Sequence, residues 1–325
     1  MTRVGLIGCG MWGRNLARNL AQLGVLAGVA DAVPAQADSF AAEFETEAMA
    51  VPTLLEQAEL DGIVIATAAP THAELARGAF GAGRHVYVEK PLALSLDEAT
   101  MIAAAAAAAG RQLMVGHLIR YHAAFLELQE QLASGVIGAL RHVSANRLAM
   151  GRIRATESVL FDLCPHDLSL ILALLGEEPH SVSCLGASHV TPGTPDILSA
   201  WLGFSGGRSA QLSTSWMTPY KEHRLTVTGS RGSIVFDDTL PWAEKLTLYQ
   251  DEITLDGDNF AIARAAAIHL PVTESEPLKQ EMQAFVTCCE TNEAPRTGLD
   301  DALAVQRVLE TMNEQFTEFG AAEKG

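Results

Sequence analysis

Basic charge is what this chain of 325 residues has least of: 22 lysines and arginines face 39 aspartates and glutamates, for a formal charge of −17. A body this acidic repels phosphate backbones and anionic lipid, which sets aside nucleic-acid and membrane-surface binding. Long apolar runs are missing as well. None reaches the roughly 18 residues needed to span a bilayer, so no membrane partner is expected. Cysteine is sparse, five residues with no CxxC spacing. That odd count argues against a disulfide frame and against a zinc or other metal site, and for reduced thiols in a cytoplasmic protein. Arg3 to Gly8 already reads as a strand entering a turn, which leaves no room for a signal peptide. Lysine is the scarcest chemistry of all over the first two-thirds of the chain: Lys90 is the only lysine before Lys221.

What is present is a large apolar fraction, 48% of residues, ample for a core and too large for a disordered chain. The length points to two domains. Over the first 120 residues, continuous apolar runs at 4–7, 26–30, 62–66, 85–88 and 112–116 alternate with helical patterns at 11–23, 34–44, 71–80 and 96–109. Continuous runs suit strands covered on both faces, and the alternation predicts a parallel sheet with helices on each side. Ser95 with Glu98 forms a capping box that opens the last of these helices, and Gly110 closes it. From residue 140 the texture changes. Runs at 140–148, 181–187, 197–204, 209–216, 224–228 and 233–236 are separated by turn signals such as Ser205-Gly206-Gly207-Arg208 and Gly229-Ser230-Arg231-Gly232, which predicts an antiparallel meander. Helical patterns at 167–175, 278–290 and 300–316 are expected to cover one of its faces. The fold class is thus α/β: an N-terminal Rossmann domain over 1–120, then an α+β domain over 121–325 whose C-terminal helices pack back.

Gly8-Cys9-Gly10-Met11-Trp12-Gly13 is a GxGxxG between a strand run and a helix pattern, and Asp31 closes the next strand run. Such glycines allow a tight turn and close approach of backbone to a pyrophosphate, and the helix N-terminus supplies N–H donors. Asp31 would accept from the adenosine ribose hydroxyls and repel a 2′-phosphate; Ala32, Val33 and Pro34 offer no cation to receive one. NAD is favoured over NADP. The plainer reading of Asp31 is a solvated carboxylate. Glu89-Lys90-Pro91 ends the run at 85–88, where open parallel sheets place ligands, and an ammonium there suits acid–base work or anchoring of a substrate hydroxyl. Lys90 as an ordinary surface charge is the alternative. Asp162 and His166 lie four apart at the entry to a helix and could share one face; an imidazole titrating near neutrality can take a hydroxyl proton. A helix cap and a hydrogen-bonded core histidine would be the structural reading of the same pair.

Taken together, the glycine motif after the first strand, Glu89-Lys90-Pro91, and Asp162-x-x-x-His166 resemble the glucose–fructose oxidoreductase/inositol dehydrogenase family, Gfo/Idh/MocA. The likeness runs over nearly the whole chain and includes Pro70 and His72. It implies Lys90 and His166 as a catalytic pair, with Asp162 binding or helping to deprotonate the substrate. It also implies Gly8, Gly10, Met11, Trp12, Gly13, Asp31, Thr67, Pro70, His72, Glu89 and Lys90 around the dinucleotide. A large, mostly antiparallel sheet and homodimers or homotetramers go with that family. Local detail around His117, Tyr121, Arg147, Arg152 and Arg154 is similar to members linked to sugar-nucleotide biosynthesis, UDP-N-acetylglucosamine 3-dehydrogenase-like proteins among them. Those five residues are candidate substrate contacts; packing is the alternative reading for His117 and Tyr121, and a solvated loop is the alternative for the arginines. A glycine is common where Cys164 stands. The expected activity is NAD-dependent hydride transfer between nicotinamide and a hydroxyl of a sugar, polyol or nucleotide sugar. An NAD-dependent glycosidase with a transient redox cycle and a non-catalytic NAD-binding regulator are the alternatives.

Overall fold

A strand covered on both faces has no polar side to show, and the first strands read that way. The computed structural model describes residues 2–151, 153 and 158–322. β1 (Val4–Ile7), α1 (Met11–Gln22), β2 (Leu26–Ala30), α2 (Pro34–Phe44), β3 (Ala48–Met49), α3 (Val51–Glu56), β4 (Gly62–Ile65), α4 (His72–Gly81), β5 (His85–Val88), α5 (Leu96–Ala109) and β6 (Leu113–Val115) follow in order. Every residue of β1, β4, β5 and β6 is buried. The six strands form one sheet in the order β3-β2-β1-β4-β5-β6, all pairs parallel. Strand order reverses beside β1 and β4, the point where such sheets take their ligand. The short pair β3 and α3 has no counterpart among the sequence expectations; two and six residues are too few to show a period. α5 begins as the capping box predicts: the Ser95 hydroxyl accepts from the Glu98 N–H at 3.2 Å. The Glu98 carboxylate reaches one residue further back, to the Leu94 N–H at 3.1 Å, and Gly110 closes the helix at φ 61°.

Beyond it come α6 (Ala123–Ala133), β7 (Leu140–Met150), α7 (Val159–Asp162), α8 (Cys164–Leu175), β8 (Ser181–Ala187), β9 (Ile197–Gly203), β10 (Ser209–Ser215), β11 (Met217–Gly229), β12 (Ser233–Asp237) and β13 (Leu246–Tyr249). The hairpin β14 (Glu252–Asp256) and β15 (Asn259–Ala263), then β16 (Ile268–His269), α9 (Pro277–Thr291) and α10 (Leu299–Ala322) complete the chain. The eight-stranded sheet runs β16-β13-β12-β11-β7-β10-β9-β8. A plain meander is not what forms. β7 lies inside the sheet, antiparallel to β11 and parallel to β10. A parallel neighbour requires a long crossover, and α7 and α8 lie on the segment that leaves β7 before β8, β9 and β10 return beside it. Burial alternates along β9, with Leu198, Ala200 and Leu202 inside and Trp201 outside, as expected of a sheet with one open face.

Two compact units result, one of Met1–Tyr121 with Glu276–Arg307, the other of His122–Ser275 with Val308–Gly325. α9 therefore does not cover the eight-stranded sheet. It packs Met282, Phe285 and Val286 into the first unit's core with Leu16, Leu20 and Tyr87. No helix among the described residues is long and apolar enough to cross a membrane.

Candidate active site

The glycine loop of the first unit is built around positions where a side chain has no room. Gly8 has φ +108°, and a Cβ there would sit 2.6 Å from the Ala66 carbonyl. A Cβ on Gly13 would sit 2.0 Å from the Gly8 oxygen. Gly10 is different: nothing lies within 4 Å of its Cβ position, and as N-cap it gives α1 no side-chain acceptor. The first-turn N–H groups of α1 thus open onto free space, with Met11 and Trp12 exposed beside them. Uncapped donors at a positive dipole end form an anion site. Asp31 is tied to this loop, accepting from the N–H of Cys9 at 2.7 Å and of Val33 at 2.8 Å. Each oxygen keeps a lone pair for a further donor.

Across the sheet, the turn after β5 carries Glu89, Lys90 and Pro91. The Trp12 indole N–H donates to Glu89, as does the Tyr87 hydroxyl at 2.9 Å, and the Lys90 N–H reaches the other Glu89 oxygen at 3.2 Å. Glu89 is buried while Lys90 is half-exposed. His72 is buried with its ring nitrogens on the carbonyl oxygens of Pro91, 2.9 Å, and Thr67, 3.1 Å. It ties the turn after β4 to the turn after β5, a role on the backbone. Thr67 contacts Thr71 hydroxyl to hydroxyl at 2.7 Å, and Pro70 stands exposed between them. His117 is buried, and burial, with the Arg120 and Lys90 cations, lowers its pKa to about 3, so it is a neutral imidazole. Tyr121 lies in the core, its hydroxyl 3.2 Å from the Thr297 hydroxyl; packing is the reading the structure supports. Arg120 pairs with Asp301.

In the second unit Asp162 ends α7 and His166 sits in the first turn of α8, with Leu163 capping both helices between them. Cys164, Pro165 and Asp167 are buried, whereas Asp162 and His166 are both half-exposed. The Trp216 indole N–H donates to Asp162 at 3.2 Å. Gly151 makes room for that indole, since a Cβ there would lie 3.0 Å from the ring. A pocket of about 180 Å³ opens here, lined by Arg147, Asp162, Ser215, Trp216 and His223. Burial, then the Arg147 and Lys221 cations, lowers the His223 pKa to about 4. Arg147 is not a free cation. Its guanidinium makes a two-point contact with Asp167 at 3.0 and 2.7 Å, and both groups are buried. Arg152 and Arg154 lie outside the described residues. Cys164 is buried with its sulfur 3.6 Å from the Thr214 hydroxyl, and burial pushes its thiol pKa up.

Residues 2–117 match the family model for an oxidoreductase family with NAD-binding Rossmann fold, and residues 125–235 match the GFO/IDH/MocA C-terminal domain. The chain belongs to the GFO/IDH/MocA family. It is 35% identical over 227 residues to UDP-N-acetylglucosamine 3-dehydrogenase of Acidithiobacillus ferrooxidans, covering 69% of this chain and 70% of that one. The solved structure of that protein superposes with a TM-score of 0.83 over 98% of both chains at 28% identity. Inositol 2-dehydrogenase of Rhizobium meliloti is 28% identical over 252 residues, 74% of this chain and 76% of its own. As a GFO/IDH/MocA oxidoreductase the protein uses NAD, and its residues fit that cofactor. The open space over Gly10, the uncapped start of α1 and the loop-held Asp31 provide for a pyrophosphate and a ribose. Trp216, His223, Tyr87 and Glu281 are functional candidates that sequence reasoning did not single out. For Trp216 a signal existed, an indole closing a strand run at residue 216; for Glu281 the signal was a lone carboxylate among apolar helix positions.

Proposed function

We propose that this oxidoreductase acts on a secondary hydroxyl of a sugar, polyol or nucleotide sugar. Lys90, Asp162 and His166 would do the acid–base work. The observation that carries this reading is the pocket at Asp162. Its carboxylate is held by an indole N–H in a space with room for one sugar-sized ring, beside the neutral His223 imidazole and the Ser215 hydroxyl. Polyhydroxylated rings are matched by such a set of acceptors and donors. The named relatives act on ring substrates of this kind, which supports the same class here. Held by the glycine loop and Asp31, NAD would supply the hydride acceptor for the carbinol carbon. The hydroxyl proton must leave with the hydride, and the Lys90 amine and the His166 imidazole are the chain's groups suited to hold it, with Asp162 orienting the hydroxyl.

Lys90→Ala lowers kcat by roughly 10²–10⁴-fold, the range for losing an acid–base group, and leaves NAD binding nearly intact. Turnover within tenfold of the parent would remove Lys90 from the assignment. The substrate class is tested by following NADH fluorescence over free sugars, inositols and nucleotide sugars. Cofactor reduced only transiently during glycoside cleavage would instead indicate a glycosidase. The reading includes residence in a reducing compartment, the cytoplasm, since all five cysteines are free thiols. It also includes a homodimer or homotetramer formed through the open face of the eight-stranded sheet, where Trp201 and Leu185 are exposed.

A further inference from the structure

Glu281 of α9 is completely buried. The reading of the Lys90 turn given above leaves it without a role. Its Oε2 lies 3.1 Å from the Tyr87 hydroxyl, which also lies 2.9 Å from Glu89 Oε1. A phenol has one proton, so it can donate to one of these carboxyl groups only. Glu89 has two further donors, the Trp12 indole N–H and the Lys90 backbone N–H. Glu281 has none: its Oε1 is buried with no hydrogen-bond partner. Were both groups ionised, one buried carboxylate would face only the lone pairs of the phenol oxygen, and a buried unpaired charge is strongly disfavoured. A proton on Glu281 removes the conflict. Glu281 then donates to the Tyr87 oxygen, Tyr87 donates to Glu89, and every contact has one donor and one acceptor.

We propose that Glu281 is a neutral carboxylic acid in the native protein and the far end of a directed hydrogen-bond chain, Glu281 to Tyr87 to Glu89, that fixes the Lys90 turn. Glu281 is a positioning residue, three side chains removed from the reacting atoms, and this function rests on the role proposed for Lys90. Independent support comes from Gly116. A Cβ there would stand 2.5 Å from the Tyr87 hydroxyl and 2.9 Å from Glu89 Oε2, so the fold keeps this position empty to admit the pair. Burial and the nearby Glu89 charge hold the Glu281 pKa well above its ordinary value. Burial raises that of Glu89 too, with the Trp12, Tyr87 and Lys90 donors opposing the rise; those three donors are what the geometry offers to a charge on Glu89 and not to one on Glu281. Because Trp12 belongs to the glycine loop, the chain also joins that loop to the Lys90 turn.

Infrared difference spectroscopy of the purified protein at neutral pH tests the protonation state without substrate. A protonated-carboxyl C=O band is expected in the parent and should vanish in Glu281→Gln. Its absence from the parent overturns the proposal. Positioning is tested by kinetics. Glu281→Leu should lower kcat about two- to tenfold, the scale of one hydrogen bond between neutral groups, with little change in KM. Glu281→Gln, whose amide can still donate to Tyr87, should recover most of that loss. Equal losses in the two variants overturn the directed chain. If Glu281→Leu does not fold, Tyr87→Phe takes its place; it removes the hydrogen bond to the charged Glu89, so the expected fall is about ten- to a hundred-fold. If no substrate is turned over, the function fails, while the infrared band still decides the protonation state.

Discussion

Asp31 carries the choice of cofactor in a single side chain. It is held by the Cys9 and Val33 N–H groups, and no cation stands at positions 32–34. A 2′-phosphate would therefore meet a fixed like charge in a partly desolvated cleft. Discrimination for NAD over NADP should be at least about 1.4 kcal/mol, a tenfold ratio. Titration of both cofactors into the parent and into Asp31→Ala measures it; the ratio should shrink in the variant as NAD weakens and NADP gains. Equal affinity for the unmutated protein would show that Asp31 is not at the ribose. Gly13 is equally confined, with no space for a methyl group against the Gly8 carbonyl. Gly13→Ala should cost at least tenfold in NAD affinity by displacing the loop, a loss of about 1.4 kcal/mol on the same scale, read in the same titration.

At the scale of elements, β7 is joined to α8 by one buried ion pair, Arg147 with Asp167. Removing one partner leaves a buried charge uncompensated, at a cost of about 3–5 kcal/mol. Arg147→Ala should thus lower the unfolding midpoint in urea sharply. Replacing both groups, as Arg147→Met with Asp167→Leu, should restore most of the loss. A variant at Arg147 that keeps full stability and only raises the substrate KM would return this residue to substrate binding. The elements themselves were legible where their pattern was long or fully apolar. Expectation and structure agree on the bounds of β1, β2, β5, α2 and α5. They part at β11, which runs from Met217 through a polar stretch whose pairing with β7 no local pattern announces.

For the molecule as a whole, acid should act first through histidine. Burial holds the pKa of His117 at about 3 and of His223 at about 4, against an unfolded value near 6.5. Between those limits the unfolded chain binds protons that the native protein does not. Stability conferred by the neutral imidazoles is therefore complete above about pH 6.5 and is lost as the pH falls. Glu281 has the opposite sign: its raised pKa means stability declines as pH rises above the usual carboxyl range. A comparison isolates the imidazole: between pH 7 and 5 the Tm of the parent should fall relative to that of His223→Gln. Equal drops would mean that His223 is protonated in the native state. Light scattering after size exclusion tests the proposed assembly, and a monomer at micromolar concentration would refute it.

By itself the sequence determined the parallel sheet, the glycine loop and the placing of Asp31 at the end of β2, because each depends on contiguous residues. An unbroken apolar run, a glycine triplet and a capping serine state their conformations locally. It also marked Lys90, Asp162 and His166, through their rarity, their spacing and a family likeness. Only the tertiary structure decided which polar groups are buried together. Glu281 meets Tyr87 across 194 positions, Trp216 meets Asp162 across 54 and Arg147 meets Asp167 across 20. Tertiary structure also turned Tyr121 into the core and paired Arg147 with a carboxylate. The physical reason is that a buried hydrogen bond depends on the register between separate elements. That register is set by how whole faces pack, which no local period encodes.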